Sequence, residues 1–271
     1  MKEKIIINVL SLLLVIVSIH LAAGCMATSS ASESGQAGTN SIEMVLERLK
    51  KQTAELKSYQ SRIEYKFTQP LLESETLRKG VLYYQKSDGK SALRINFQSL
   101  KQDQEEQQKY LEQYIFDGVW LTHIDYQIKE VKLYQKAEPN KPVDAFELVS
   151  ENFPIIGFGK VDDLKKEFEI ELIKQKPSVI PAQAGIQDFI QLHLKVKADS
   201  TYKNDYTSID FWIDSKLYLP AKIVAVTTEE DIYEIKFLSP QVNKKIDEKV
   251  FEFEVPEGFN VETEPLKKNK K

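Results

Sequence analysis

Few residues in this chain have the type and spacing that catalysis or metal binding needs. The three histidines, His20, His123 and His193, each lack a second histidine or a cysteine at ligand spacing. Because a zinc site needs three or four such ligands, we expect His123 and His193 to be structural and predict no metal. The acidic clusters Asp162-Asp163 and 229–231 could form a metal site or a general acid/base pair, but their charged surroundings favour surface positions. The sequence therefore predicts no catalytic residue, no cofactor and no enzyme, with a hydrolase as the least favoured alternative.

The single cysteine, Cys25, is the residue best placed for covalent chemistry. A short basic start precedes an apolar run from Ile5 to Ile19, and Leu21 to Gly24 then lead into the cysteine. A positive start, a short apolar stretch and an exit of small residues are typical of a secretory signal and not of a membrane span. We therefore predict a signal peptide over 1–24 and export of the chain.

The small residues before Cys25 resemble a bacterial lipobox, in which the cysteine becomes the lipid-carrying N-terminus after cleavage. The resemblance implies an acylated Cys25 and a membrane anchor, because each buried acyl CH₂ contributes about 0.8 kcal/mol and several chains give stable attachment. Met26 follows the cysteine where aspartate could stand, and in such lipoproteins this implies the periplasmic face of the outer membrane. The alternative is ordinary secretion with cleavage at Ala23 or Ala27 and an incidental cysteine.

The composition of the chain argues against some classes of function. The 271 residues carry a formal net charge of −4, and a mildly acidic surface of mixed sign argues against nucleic-acid binding. With one cysteine, no intramolecular disulfide can form, so stability has to come from the hydrophobic core. Without a signal peptide, the remaining length suits one large domain or two small ones.

The residues that follow the cysteine predict a tether and then a helix. Residues 25–39 are rich in Ser, Ala, Gly and Thr, which is typical of a flexible tether. Asn40 and Glu43 have the spacing of a capping box, and apolar residues recur at helical spacing from Ile42 to Leu56. The pattern predicts an amphipathic helix that docks its apolar stripe on the rest of the domain.

From Tyr59 onward the apolar pattern has a period of two. Alternate residues from Tyr59 to Phe67 are apolar or small and the others are polar, as in antiparallel sheets with one buried face. Asp117-Gly118 predicts a tight hairpin, since glycine tolerates positive φ. Further strands are predicted at Gly80–Gln85, Leu93–Phe97, Tyr114–Phe116, Val119–Ile124, Glu130–Gln135, Phe168–Lys174, Phe189–Val196, Thr207–Ile213, Ala221–Val226, Asp231–Phe237 and Phe251–Val255.

Two segments interrupt the strand pattern. Residues 100–109 are mostly Gln, Glu and Lys and predict a charged excursion between strands, with a partner-docking loop as the alternative. Residues 178–187 resemble the peptide encoded by a short genomic repeat inserted into a reading frame, and an exposed hairpin end tolerates such an insertion. With a charged tail at 263–271, the predicted folded domain spans 40–262.

Several short motifs follow one another in an informative order. The first strand ends with Tyr65–Gln69, and the hairpin segment Phe116–Leu121 places Trp120 two residues after its glycine. Near the end, Val250–Val261 contains a Phe-x-Phe-x-x-Pro-x-Gly pattern. Over roughly Ile42 to Val261, these motifs resemble the outer-membrane lipoprotein carrier family, the LolA- and LolB-like lipoprotein-sorting proteins.

The resemblance implies a mainly β (α+β) domain with a single antiparallel, strongly curved half-barrel sheet. An N-terminal amphipathic helix and short helices or loops would cover its concave side, where an apolar cavity holds acyl chains without chemistry. The alternative is that the same aromatic side chains only pack a core. The cavity candidates are Tyr65, Phe67, Leu82, Tyr84, Ile95, Phe97, Phe116, Trp120 and Trp212, and the lid candidates are Phe153, Ile155, Ile156 and Phe158.

The function implied by the resemblance is binding of acyl chains, from lipids or lipoproteins, with a role in sorting lipoproteins to the outer membrane. An arginine that acts in the carriers after their second strand has no clear counterpart, since Lys86 lies nearest and Arg78 is upstream. The alternative is an envelope sensor or regulatory lipoprotein of the same fold that acts through a periplasmic protein partner.

Overall fold

The computed structural model of the chain describes residues 41–87, 89–145, 161–173 and 188–266. No helix within these ranges is long and apolar enough to cross a membrane. Several predicted features lie outside the described residues, namely the signal peptide, Cys25 and the tether, the insertion at 178–187, and the lid candidates Phe153, Ile155, Ile156 and Phe158.

The described part begins with the predicted amphipathic helix. Helix α1 spans Ile42–Ala54, and the side chain of Ser41 caps it by accepting a hydrogen bond from the amide of Met44. The helix is confirmed, but Ser41 is the cap, one residue after the predicted Asn40. Its apolar stripe buries Val45, Leu46 and Leu49.

Twelve strands form one sheet in the described part of the chain. The order across the sheet is β12-β6-β5-β4-β3-β2-β1-β11-β10-β9-β8-β7. Neighbouring strands are antiparallel except β12 and β6, which are parallel. The strands are β1 Ser58–Gln69, β2 Ser74–Ser87, β3 Lys90–Gln102, β4 Gln108–Phe116, β5 Trp120–Asp125, β6 Glu130–Gln135, β7 Phe168–Ile173, β8 Phe189–Val196, β9 Tyr206–Asp214, β10 Pro220–Thr227, β11 Ile232–Val242 and β12 Asn260–Glu264.

Strand β1 joins two meanders at the centre of the sheet. Strands β2 to β6 follow one another on one side of β1, and β11 back to β7 follow one another on the other side. Tyr65 on β1, for example, lies opposite Arg78 on β2 and Ile235 on β11. The mainly β fold with one antiparallel sheet is therefore confirmed, with β12 as a parallel addition at one edge.

The sheet has an inner face, which carries the main hydrophobic core, and a mostly polar outer face. In β1, buried Ile63, Tyr65 and Phe67 alternate with the less buried Glu64 and Lys66, as the period of two predicted. The main core is one cluster with members from α1 and from both meanders. A small second cluster contains Ile115, Ile124 and Val131, with Phe259 packed against it.

Irregular pairing bends the sheet. The register shifts between Lys79 and Gly80 where β2 meets β3, and between Phe97 and Ser99 where β3 meets β4. Such bulges bend a strand and increase its twist. At Gly80 a Cβ atom would lie 2.1 Å from the carbonyl oxygen of Asn96, so the close approach of these strands requires glycine.

The helices cover one end of the inner face. Helix α2, Val161–Glu167, packs against both α1 and β7. Lys165 Nζ lies 3.4 Å from Glu43 Oε1, and Arg48 donates a hydrogen bond of 2.5 Å to the hydroxyl of Tyr218, between β9 and β10. Both helices therefore lie at the β7–β10 end of the sheet.

The predicted hairpin at Asp117-Gly118 is confirmed. Gly118 has a φ of 95°, and Asp117 Oδ1 accepts hydrogen bonds of 2.8 and 2.7 Å from the amides of Val119 and Trp120. The aspartate side chain therefore closes the turn that only glycine makes without strain.

Half of the predicted charged excursion at 100–109 is strand, and residues 103–107 connect β3 to β4. Strand β3 continues to Gln102 and β4 begins at Gln108, which leaves a short turn in which Asp103 has a φ of 49°. The turn therefore lies within the predicted range, and the charged segment extends into both strands because long polar side chains on the solvent face are compatible with a strand.

The predicted strand at Phe251–Val255 is wrong. Glu248–Phe251 form a 3₁₀ helix, and Phe253 and Val255 are exposed. Arg94 on β3 donates hydrogen bonds of 2.8 Å to the carbonyls of Val250 and Glu252. Because these contacts hold the segment on β3, the chain pairs with the edge strand β6 only from Asn260 onward.

Candidate functional site

Most of the predicted cavity residues share the inner face. Leu82, Ile95 and Tyr114 are direct neighbours across β2, β3 and β4, so the set forms one continuous patch. Six predicted cavity residues are buried in the main core: Tyr65, Phe67, Leu82, Tyr84, Phe97 and Phe116. A seventh, Ile95, is partly buried against that core.

The two tryptophans are placed differently. Trp120 and Trp212 each adjoin a buried inner-face residue, Leu121 and Phe211, and successive residues of a strand point to opposite faces. The ammonium of Lys222 lies 4.5 Å from the Trp212 ring centroid. Their assignment to the cavity is corrected, because aromatic character does not fix the face of a strand, whereas the alternation of the strand does.

Aromatic rings form a row on the inner face that we call the aromatic wall: Tyr233, Phe67, Tyr65, Phe97 and Tyr114. Ring centroids are 4.7 Å apart between Phe67 and Tyr233, 6.2 Å between Tyr65 and Phe97, and 6.4 Å between Phe97 and Tyr114. Strand β2 lies between β1 and β3, and the absence of a side chain at its Gly80 leaves room for rings on either side to meet. Sequence reasoning missed Tyr114 and Tyr233 in this row.

A group that we call the buried polar cluster lies beside the aromatic wall: Arg78, Glu112, Tyr114 and His123. Glu112 Oε1 accepts a 2.7 Å hydrogen bond from the Tyr114 hydroxyl and lies 3.0 Å from His123 Nε2. Glu112 Oε2 lies 3.5 Å from Arg78 Nε. The Tyr114 ring stacks on the imidazole with centroids 4.5 Å apart, and all four side chains are buried.

Burial and neighbouring groups act in opposite directions on Glu112. Burial raises the pKa of its carboxyl, but the hydrogen bond with His123, the charge of Arg78 and the Tyr114 hydroxyl lower it, and the resulting pKa lies below the usual value. Tyr110 lies on β4 beside the cluster, with its ring centroid 5.7 Å from the Arg78 guanidinium carbon. Burial raises the pKa of Tyr110 to about 12, and the charges of Glu112 and Asp125 raise it further. At neutral pH the cluster therefore holds a carboxylate beside a guanidinium and un-ionised phenols.

The cluster has unused hydrogen-bonding capacity. Arg78 Nε and Glu112 Oε2 form an ion pair at 3.5 Å, but neither buried atom has a hydrogen-bond partner among the described residues, and the same holds for two buried atoms outside the cluster, Thr76 Oγ1 and Tyr134 Oη. Since buried polar groups in folded proteins are generally hydrogen-bonded, these atoms suit the polar part of a ligand that enters the inner face. Sequence reasoning treated His123 as structural and did not single out Glu112. The available signal was charge at inward-facing positions of two strands.

In the part of the chain that the structure describes, no serine, threonine or cysteine is hydrogen-bonded to His123 or Glu112. No group of three or more His, Cys, Asp or Glu side chains there could hold a metal ion.

The segment 137–145 lies at the β2–β5 end of the inner face. The amide of Val143 donates to the Gly118 carbonyl over 2.9 Å, and the amide of Ala145 donates to Ser91 Oγ over 2.6 Å. The Tyr84 hydroxyl donates to Asp144 Oδ2 over 3.3 Å. These hydrogen bonds hold residues 143–145 against β2, β3 and the Asp117-Gly118 hairpin.

No protein-family model matches the chain, and no curated protein matches it either. Solved structures of similar fold are found. An uncharacterized conserved protein from Thermus thermophilus is 10% identical, over 82% of this chain and 98% of its own, with a TM-score of 0.46. The MucA/MucB complex of Pseudomonas aeruginosa matches at 11% identity, over 78% of this chain and 60% of that chain, with a TM-score of 0.44. A LolA superfamily protein from Nitrosomonas europaea matches at 11% identity, over 79% and 99%, with a TM-score of 0.31.

A LolA superfamily protein is thus among the structures to which this chain is similar. With identities of 10–11% and TM-scores below 0.5, these similarities assign no activity and place no functional residue. The fold itself is established by the strand order and the burial pattern of this chain.

Proposed function

We propose that this chain is a non-enzymatic module that holds acyl chains of lipids or lipoproteins against the inner face of its half-barrel. We place it at the periplasmic face of the outer membrane, with a role in lipoprotein sorting. One observation carries the proposal: the inner face is a continuous apolar surface that includes the aromatic wall.

The two described helices lie to one side of the aromatic wall, whose rings are nevertheless buried. Helix α1 has 13 residues and α2 has 7, and both lie at the β7–β10 end. The aromatic wall lies on β11, β1, β3 and β4, and an acyl chain would pack against its rings once the inner face opens. A sixteen-carbon chain gains roughly 10 kcal/mol of transfer free energy at about 0.8 kcal/mol per CH₂, before the cost of ordering it.

The proposal assigns the N-terminal residues an anchoring role. Acylation of Cys25 would attach the chain to the membrane, and residues 25–39 would let the folded domain move away from the surface. The lid candidates Phe153, Ile155, Ile156 and Phe158 would then open and close the inner face.

The test is native mass spectrometry of the full chain in a neutral detergent, titrated with a triacylated lipopeptide. We expect a one-to-one adduct that Ile95→Gln on the inner face weakens about tenfold. Ile95 suits this change because it is only partly buried, so the fold survives. Trp212→Gln on the outer face is the matched control, and equal melting temperatures check folding. No adduct with the wild-type chain, or equal weakening by both variants, would contradict the proposal.

A regulatory lipoprotein that acts through a protein partner is a second candidate. It is favoured by exposed apolar side chains at the C-terminal end, where Phe253, Val255 and Val261 are 36%, 45% and 53% exposed. Val261 belongs to β12, an edge strand, and edge strands are common sites of pairing with another chain. A named partner that binds the wild type and Ile95→Gln equally, but not Val261→Lys, would favour this candidate.

A further inference from the structure

A polar cleft lies at the end of the sheet where the chain enters β1 and leaves β11. Its volume is about 790 Å³, within the range of small-molecule sites. It lies apart from the aromatic wall, and its lining combines four lysines with two carboxylates. The lining residues are Lys57, Ser58, Gln85, Lys86, Ser87, Asn243, Lys244, Lys245, Ile246, Asp247 and Glu248.

The backbone around the cleft is held by Asn243. This residue has a φ of 54°, and its Oδ1 accepts hydrogen bonds of 2.8 and 3.3 Å from the amides of Lys57 and Ser58. Its own amide donates to the Ser58 carbonyl, and the amide of Lys86 donates to the Lys57 carbonyl. Ser58 Oγ donates to the Lys244 carbonyl. Three of the lysines therefore project from backbone that is fixed before any ligand arrives.

Three of the four lysines that line the cleft have no ion-pair partner among the described residues, although Asp247 and Glu248 line it too. Lys57, Lys244 and Lys245 form no ion pair within the described ranges, whereas Lys86 Nζ lies 3.2 Å from Asp144 Oδ2. One of the two carboxylates, Asp247, accepts a 3.1 Å hydrogen bond from the amide of Lys249 and so caps a 3₁₀ helix. In a chain of net charge −4, such a set of free ammonium groups around a cavity requires an explanation.

The cleft also contains a buried polar atom without a partner. Gln85 Oε1 is buried and has no hydrogen-bond partner among the described residues. If the Gln85 side-chain amide is flipped, its nitrogen takes the buried position and becomes an unpaired donor. The amide group therefore has unused hydrogen-bonding capacity in both orientations. A bare ion would use only the lysines, whereas an anion that also carries hydroxyl groups would use both features.

We propose that this cleft binds a phosphate group attached to a small hydroxylated molecule, such as a phosphoglycerol. Lysine acts as a point charge toward phosphate, and Lys57 and Lys244 would provide most of the attraction. Lys86 would exchange Asp144 for the ligand, and Asp144 also contacts the Tyr84 hydroxyl on the inner face. The proposal does not rest on acyl-chain binding, so either can fail without the other.

The test is calorimetric titration of the full chain in a neutral detergent with inorganic phosphate, with glycerol 3-phosphate and with phosphatidylglycerol in the micelles. We expect saturable binding of glycerol 3-phosphate that is tighter than that of inorganic phosphate. Saturation by phosphatidylglycerol alone would support the same chemistry with a lipid headgroup as its source. The double variant Lys57→Gln/Lys244→Gln should weaken binding at least about tenfold.

The control removes the same charge elsewhere. Lys195→Gln/Lys203→Gln changes two exposed lysines away from the cleft and should leave the affinity within about twofold of wild type. Both double variants involve exposed side chains, so their melting temperatures should match that of the wild type. The proposal is overturned if none of the three probes binds, or if the two double variants weaken binding equally.

Discussion

The two ends of the inner face are packed with different side chains. The β8–β10 end is aliphatic and almost completely buried, with Leu194, Ile209, Ile213 and Ile223 at 0% exposure. The β1–β5 end instead carries most of the aromatic wall and the whole buried polar cluster. Because α1 and α2 lie at the aliphatic end, we infer that one end of the sheet stabilises the domain and the other is left to bind.

This difference has a physical basis in the two kinds of surface. Aliphatic side chains packed in single rotamers give density and stability. Aromatic rings offer a ligand a large contact area with preferred ring orientations. Polar groups with unused hydrogen-bonding capacity can fix the orientation of that ligand. Changes at the two ends should therefore separate stability from binding.

The largest effect is expected from Arg78→Met, which leaves the Glu112 carboxylate buried without its cation. Removing one partner of a buried ion pair destabilises a protein by about 3–5 kcal/mol, and Arg78 and Glu112 are only 5% and 4% exposed. Urea denaturation of the full chain measures the loss.

Lys79→Met is the matched control for Arg78→Met. Lys79 is the next residue on the same strand and pairs with Glu64 at 3.2 Å on the outer face. Its loss should change stability by less than about 1 kcal/mol, as for exposed ion pairs. Equal losses from the two variants would show that the cluster is solvated, and the contrast between the faces would not hold.

Two phenylalanines compare the ends directly. Phe211→Ala at the aliphatic end should cost about 3–5 kcal/mol of unfolding free energy and leave lipopeptide affinity unchanged in the folded fraction. Phe97→Ala in the aromatic wall should cost less, because Phe97 is 7% exposed against 2% for Phe211, and should change affinity. Denaturation and native mass spectrometry on the same samples separate the two outcomes, and a loss of affinity in Phe211→Ala alone would reverse the assignment of the ends.

Much of the sheet was predictable because alternation along a strand is a local signal. β6 and β8 have the predicted bounds, and the hairpin at Asp117-Gly118 lies where the sequence placed it. The same signal misled at Phe251–Val255, since pairing there depends on Arg94, which is distant in the chain. The alternation of apolar and polar residues predicts which side chains share a face of a strand. It does not predict the long-range contacts that decide whether the segment pairs with a neighbouring strand.

The candidate site was less predictable than the fold for a related reason. The apolar members Tyr65, Phe67 and Phe97 follow from alternation, but the buried polar cluster depends on Arg78, Glu112 and His123 meeting across strands β2, β4 and β5. Each is an ordinary polar residue in its own segment. Only the strand order brings the three together, and no single-segment pattern contains that order.

The pH dependence of stability tests the charge state of the cluster. Because the pKa of Glu112 is lowered in the folded protein, the unfolded chain takes up a proton more readily, so this carboxylate contributes stability above its unfolded pKa of about 4.3. That contribution is lost as the pH falls through the folded pKa. Each unit of difference corresponds to about 1.4 kcal/mol.

Glu112→Gln should therefore show a shallower fall in unfolding free energy between about pH 5 and pH 3 than the wild type, as measured by urea denaturation. His123 and Arg78 face the carboxylate, and Asp125 lies opposite it on β5. Asp125→Asn changes that neighbouring carboxyl and serves as the comparison. Parallel curves for wild type and Glu112→Gln would mean that Glu112 is not the group that couples this end of the sheet to pH.

The smallest expected effect concerns the helix that covers the aliphatic end. Ser41→Ala removes the oxygen that accepts the Met44 amide, which should cost about 1 kcal/mol, and Ser41→Asn should restore most of it because asparagine caps helices equally well. Thermal denaturation measures the change in stability, and lipopeptide titration should give the same affinity for all three chains. If Ser41→Ala instead alters affinity while Ser41→Asn does not, α1 moves when ligand enters, and the aliphatic end takes part in binding instead of only supporting it.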